Sequence, residues 1–86
     1  MDLNRVNQLQ LFLEKTPNDP FPKYALALEF LDSDDDKANK FFSELLQHHP
    51  DYLPTYYTAA HFFIDQEKFE LAKGTFEKGI ELSSSD

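Results

Sequence analysis

The stretch LPTYYTAAHFFIDQEKFELAKGTFEKGIELSSSD, residues 53–86, decides the fold of this chain. Its apolar residues recur at helical spacing in two blocks, and the polar pair Asp65-Gln66 separates the blocks. Pro54 suits the first turn of a helix, because the amide that proline lacks would have no partner within that turn. The stretch therefore predicts two consecutive helices, one from residue 53 or 54 to 65 or 66 and one over residues 67–82.

The residues before this stretch follow the same helical pattern. They predict three further helices, at residues 3–15, from 21 or 22 to 31, and at 35–49. Pro17 and Pro50 mark helix ends, because the residue before a proline is pushed out of the helical conformation. The acidic run at residues 32–36 supplies carboxylates that cap the free amides of the third helix. No run of alternating apolar residues predicts a strand, so we expect an all-α protein of five helices.

The chain repeats itself with a period of about 33 residues. The first, third and fifth helices share one spacing of apolar residues: Leu9, Phe12, Leu13 and Pro17, then Phe42, Leu45, Leu46 and Pro50, then Phe76, Gly79 and Ile80. The second and fourth helices share another: Leu26, Ala27 and Phe30, then Ala59, Ala60 and Phe63. Helix pairs repeated at this period are typical of stacked helical solenoids.

The stretch 53–86 resembles a tetratricopeptide repeat, a helix-turn-helix unit of about 34 residues. The matching positions carry aromatic or small residues: Tyr56, Ala59, Ala60, Phe63, Phe69, Ala72, Phe76 and Gly79. The preceding unit fits less tightly, since Lys23 and Asp35 stand at aromatic positions and Leu45 at a small one. The resemblance implies antiparallel helical hairpins stacked as a short right-handed solenoid in one domain. Its parts would be a half repeat of the second-helix type at residues 1–17, one repeat at 18–51 and another at 52–86.

The resemblance also implies a concave groove lined by the first helix of each pair. The groove-facing positions would be Tyr24, Leu28, Leu31 and Asp32, then Tyr57, His61, Ile64 and Asp65. Spacings of four and seven residues place three positions of each set on one helical face. The alternative is that these residues pack the second helix against the fourth. If they bind a partner, an apolar or mildly basic segment fits best, and the family's clamp for acidic peptide tails lacks its basic residues here.

Charge and composition disfavour several classes of function. Eight Lys and Arg against sixteen Asp and Glu give a net charge of -8, which repels nucleic-acid phosphates and anionic lipids. The longest unbroken apolar stretch, residues 24–28, is far shorter than the roughly 20 residues of a membrane span. The chain has no cysteine, and its first residues do not resemble a signal peptide. We therefore expect a cytoplasmic protein that binds neither nucleic acid nor membrane.

No residue pattern indicates catalysis or a cofactor. His48 and His49 are adjacent, so they point about 100° apart on a helix, and with Asp51 and His61 they form no spaced metal motif. The acidic run at 32–36 lacks the glycine and terminal Glu of a calcium loop, and the serines at 83–85 are expected to be a frayed end rather than a modification site. We predict a non-catalytic protein–protein interaction module. The alternative is a self-associating unit, or part of a longer repeat array, that uses the exposed face of the fifth helix.

Overall fold

The computed structural model describes residues 2–84, and this part of the chain forms five α-helices without a strand. The helices are α1 (Leu3–Lys15), α2 (Pro20–Phe30), α3 (Asp35–His48), α4 (Pro54–Asp65) and α5 (Phe69–Ser84). The predicted all-α class and the five helices are therefore confirmed.

Aspartates fix the starts of the first three helices. The side chain of Asp2 accepts a hydrogen bond from the Arg5 amide at 3.1 Å, and that of Asp19 accepts one from the Phe21 amide at 3.0 Å. Asp34 accepts from the Lys37 amide at 3.1 Å, which confirms that the acidic run caps the third helix. Each carboxylate satisfies an amide that has no partner inside the helix and complements the positive end of the helix dipole.

Helix boundaries differ from the predicted ones by one or two residues. α2 begins and ends slightly earlier than expected, and α3 ends at His48 rather than at residue 49. The largest difference is in α5, which begins at Phe69 instead of residue 67 and continues through Ser83 and Ser84. The prediction of a frayed end was wrong for those two serines, and its remaining residue, 85, lies outside the described part.

The turn after α4 explains the late start of α5. The Lys68 amide donates to the Phe63 carbonyl and the Glu67 amide donates to the Ile64 carbonyl, both at 2.9 Å. This pair of bonds is a Schellman motif, which ends a helix by turning one residue into the left-handed conformation. Glu67 has that conformation, with φ of 60°. A new helix therefore begins only after Glu67.

Replacing Glu67 by glycine should stabilise the protein. A side chain with a Cβ is strained at φ of 60°, whereas glycine adopts this conformation freely, so Glu67→Gly should raise the free energy of unfolding by about 1 kcal/mol. Asp65→Gly is the matched control, because Asp65 lies inside α4 and glycine there should cost about 1 kcal/mol. Urea unfolding followed by circular dichroism measures both changes. Loss of stability in Glu67→Gly would rule out the left-handed turn.

The described helices belong to two compact units, Met1–His49 and Pro50–Asp86. In the first unit α1 packs against α2, and α2 packs against α3. Its buried residues are mostly apolar: Val6, Leu26, Ala27, Phe30, Ala38, Phe42 and Leu45. An ion pair between Arg5 and Glu29, 3.2 Å long, joins α1 to α2. Arg5 is largely exposed, so this pair contributes little, and the apolar contacts hold the unit together.

In the second unit α4 packs against α5. Ala59, Ala60 and Ala72 are buried, and such short side chains permit a close approach of two helices. Gly79 of α5 lies so near α4 that an added Cβ would stand 2.7 Å from the Cβ of Tyr56. The second unit is therefore a tight helical hairpin. Stacking of repeats into a solenoid, and the division at residues 17 and 51, stay predictions.

Candidate functional site

Of the four predicted site residues of the first unit, Tyr24 and Leu28 lie within α2, and Leu31 and Asp32 follow its end. Leu28 is 42% exposed, and Asp32 is also exposed. Tyr24 and Leu31 are half-buried. Their spacing gives Tyr24, Leu28 and Leu31 a common side of the helix.

The four predicted site residues of the second unit are all exposed. Tyr57, His61 and Ile64 follow one face of α4, and Asp65 ends that helix. Tyr57 has 62% of its surface accessible, against 42% for Ile64. A tyrosine this exposed leaves an apolar ring in water, which is the usual condition of an aromatic residue that a partner later covers.

Tyr57 belongs to an aromatic cluster that sequence reasoning did not predict. Its ring centroid lies 4.6 Å from that of His61 and 5.9 Å from that of Phe76, in an edge-on arrangement with Phe76. The His61 and Phe76 centroids are 6.5 Å apart. Phe76 comes from α5 and is 38% exposed, so the cluster links α4 to α5 at the surface.

A shallow apolar cavity of about 220 Å³ adjoins this cluster. Leu53, Tyr57, Phe76 and Ile80 line it and are exposed; we call these four residues the α4–α5 apolar surface. Tyr56, Gly79 and Ser83 complete the lining. Sites for small molecules usually measure about 300–1,000 Å³, so this cavity fits a protruding side chain of a partner better than a whole ligand.

Local packing creates the cavity. Phe76, Ile80 and Ser83 are four and three residues apart and therefore share one face of α5 with Gly79. Gly79 has no side chain, and its place is taken by the nearby Tyr56. The space that remains open at the surface lies among Leu53, Tyr57, Phe76 and Ile80. Phe76, Gly79 and Ile80 stood out in the repeat, but their spacing did not show that they are accessible.

Tyr56 anchors the start of α4 beneath this surface. Its ring is buried, and its hydroxyl donates a hydrogen bond to the carbonyl of Pro50. Burial, with a smaller contribution from the negative charge of Asp51, raises the pKa of Tyr56 above its ordinary 10.0. The phenol therefore stays protonated in the folded state, as its role as a donor requires.

This raised pKa predicts a loss of stability in alkali. Because the folded state binds the phenol proton more tightly than the unfolded state does, the contribution is complete below the ordinary pKa of 10.0 and is lost as the pH rises through the folded pKa. Urea midpoints of the wild type should fall above about pH 10. Tyr56→Phe should flatten that decline, and an equally steep decline in the variant would exclude Tyr56 as its source.

The other sequence candidates are dispersed. His48 and His49 lie at the end of α3, whereas His61 lies within α4. Among residues 2–84, no three side chains of His, Asp or Glu gather as metal ligands would. Asp34 of the acidic run is engaged as a helix cap. Within the same residues, no helix combines the length and apolar character needed to cross a bilayer.

Comparison of the chain with protein-family models, with curated proteins and with solved structures gave no match. The candidate site is therefore defined by the chain's own exposed surfaces and by the repeat in its sequence.

Proposed function

We propose that this chain is a non-catalytic protein–protein interaction module that binds a peptide or helix of another protein. The exposed cluster of Tyr57, His61 and Phe76 beside the apolar cavity supports this proposal. Aromatic side chains dominate the binding energy of protein interfaces, because they bury a large apolar area at a small cost in conformational entropy.

The predicted site residues favour a particular kind of partner segment. Tyr57 and Ile64 offer apolar contact area, while Asp65 and Asp32 add negative charge. An apolar or mildly basic segment suits this combination, because a basic residue would pair with the aspartates at the rim of an apolar contact. Acidic segments are disfavoured for the same reason.

The resemblance to tetratricopeptide repeats supports the same function. Proteins of that family use the first helix of each pair to hold peptides or helices, and Tyr24 and Tyr57 occupy equivalent positions 33 residues apart. This proposal includes membership of the family, a right-handed solenoid, a concave groove lined by the first helix of each pair, and a cytoplasmic location.

A double substitution tests the proposed function. Tyr24→Ala with Tyr57→Ala should reduce the amount of partner captured by the immobilised protein from a lysate, compared with the wild type. Helical content by circular dichroism should stay near that of the wild type, because Tyr24 is only half-buried and Tyr57 is exposed. Unchanged capture at unchanged helical content would contradict a binding role, and a collapse of helical content would show that these tyrosines are core residues.

Self-association through α5 is a second candidate function. It is favoured by the exposure of Ile80, at 54%, and of Phe76 on that helix. Light scattering over a wide range of protein concentration tests it, since a dimer would appear as the concentration rises. A monomer throughout would remove this candidate.

A further inference from the structure

We infer that the α4–α5 apolar surface is the docking site of one basic amphipathic helix from a different protein. This inference rests on the proposed function, because it specifies where the partner segment binds and what its chemistry is. It concerns Phe76, Ile80 and Leu53, which lie outside the set of residues predicted from the sequence.

Equivalent positions in the repeat differ in burial, and the difference points to α5. Phe42 and Leu45 of α3 are completely buried. Phe76 of α5 has the register of Phe42, yet it is 38% exposed, and the neighbouring Ile80 is 54% exposed. The position that is core at Phe42 is thus partly open at Phe76, and Ile80 is exposed where its counterpart Leu46 is half-buried. Contact of such apolar groups with water is unfavourable, and covering them with another surface lowers the free energy.

The first unit shows which kind of element packs beside a helix of this register. α1 has the same repeat register as α5, and α2 packs against it. Phe21 of α2 contacts Phe12 of α1, with ring centroids 6.3 Å apart, and Glu29 pairs with Arg5 across the two helices. The neighbouring element of a helix in this register is thus a helix that adds an aromatic contact and an opposite charge, although Phe12 itself stays 39% exposed.

The form of the surface also favours a helix over an extended peptide. α4 and α5 satisfy their backbone groups internally, so they offer no sheet edge to which a strand could add. A partner helix satisfies its own backbone and needs only side-chain contacts. One large apolar residue would enter the cavity of about 220 Å³, and others one or two turns away would cover Leu53 and Ile80.

The charge beside the apolar surface selects a basic partner. Glu77 and Glu81 follow Phe76 and Ile80 directly, so they project about 100° from the apolar stripe on its outer side. Lys73 lies on the same side, and the exposed Lys78 is 3.7 Å from Glu81, so the acidic excess belongs to the unit as a whole. Residues 50–86 hold seven Asp and Glu against three Lys. Lysine or arginine beside the apolar face of the partner helix would complement this rim.

The same charges argue against a second copy as the occupant. Each chain carries a net charge of -8, and a symmetric contact would place one acidic α5 rim against another. Like charges brought together in this way oppose association. The inferred occupant is therefore a different protein.

Two synthetic peptides of about 20 residues, long enough to form helices, test the inference. Both carry the same apolar face of leucines and one phenylalanine, and one has lysines while the other has glutamates at the flanking positions. Fluorescence anisotropy should show that the wild-type protein binds the lysine peptide at least about tenfold more tightly than the glutamate peptide. Raising the salt concentration should weaken binding of the lysine peptide.

A matched pair of variants locates the binding. Ile80→Glu should weaken binding of the lysine peptide by about tenfold or more, because a carboxylate would be buried against the apolar face of the peptide. Leu71→Glu is the control, since Leu71 is 50% exposed on the same helix but does not line the cavity. It should bind the lysine peptide nearly as the wild type does. Both positions are exposed, so both variants should retain the wild-type circular dichroism spectrum.

The remaining outcomes separate this inference from the proposed function. Equal weakening by Ile80→Glu and Leu71→Glu, equal affinity for both peptides, or no binding of either would overturn the inference. Loss of binding in Tyr24→Ala but not in Ile80→Glu would overturn it while supporting the proposed groove. A wild-type dimer that Ile80→Glu converts to a monomer would identify a second copy as the occupant and would also overturn it.

Discussion

Phe42→Ala should lower the free energy of unfolding by about 3–5 kcal/mol, the largest effect expected of any single substitution considered for this chain. Phe42 is completely buried in α3, so its removal forfeits apolar burial and leaves a cavity. Small domains are stabilised by only about 0.05–0.15 kcal/mol per residue, and such a loss is a large part of the total. Urea unfolding followed by circular dichroism measures it.

The same substitution at the equivalent position of α5 provides the control. Phe76 has the register and residue type of Phe42 but is 38% exposed, and its ring contacts only Tyr57 and His61 among the aromatic contacts described. Phe76→Ala should therefore lower the free energy of unfolding by only about 1–2 kcal/mol, because part of the ring is in contact with water even in the folded state. Equal losses from both substitutions would contradict the open stripe on α5.

Gly79→Ala should destabilise the second unit by about 1–3 kcal/mol. The added Cβ would stand 2.7 Å from the Cβ of Tyr56 and 3.3 Å from its Cγ, so the two helices would have to move apart. The first of these atoms is fixed to the backbone of α4 and cannot swing away as the tip of a long side chain would. The intrinsic preference of alanine for helices offsets only part of the cost.

Gly74→Ala is the matched control on the same helix. Among residues 2–84, no atom other than those of its chain neighbours and the backbone of its own helix lies within 4 Å of the position that its Cβ would take. Alanine should therefore stabilise α5 by about 0.5–1 kcal/mol, because it restricts the unfolded chain and favours the helix. The two substitutions should change the urea midpoint in opposite directions. A midpoint raised by both would show that α4 and α5 are further apart than the structure has them.

Local sequence features predicted the helices well, because the signals that start and stop them are local. Apolar spacing gave α1 its bounds, and the capping by Asp34 followed from the acidic run before α3. The start of α5 was missed because glutamate is seldom found in the left-handed conformation that Glu67 adopts. A glycine at that position would have signalled the turn in the sequence.

The candidate site was predicted only in part, for a different physical reason. Tyr57 and His61 were identified from the repeat register, and both are exposed. Phe76 has the register of Phe42, which is core in α3, whereas Ile80 has the register of Leu46, which is half-buried there. Spacing alone could not show that both are exposed in α5. Whether an apolar stripe is buried depends on the element that packs over it, which the spacing within one helix does not encode.

Two-dimensional ¹H–¹⁵N spectra of the labelled protein would locate the bound lysine peptide. We expect the peptide to shift amide signals around residues 53–57 and 76–83, which surround the cavity between α4 and α5. Signals of α1 and α3 should change little. Shifts concentrated at residues 24–32, or spread evenly over the chain, would contradict the docking of a basic helix on the α4–α5 apolar surface.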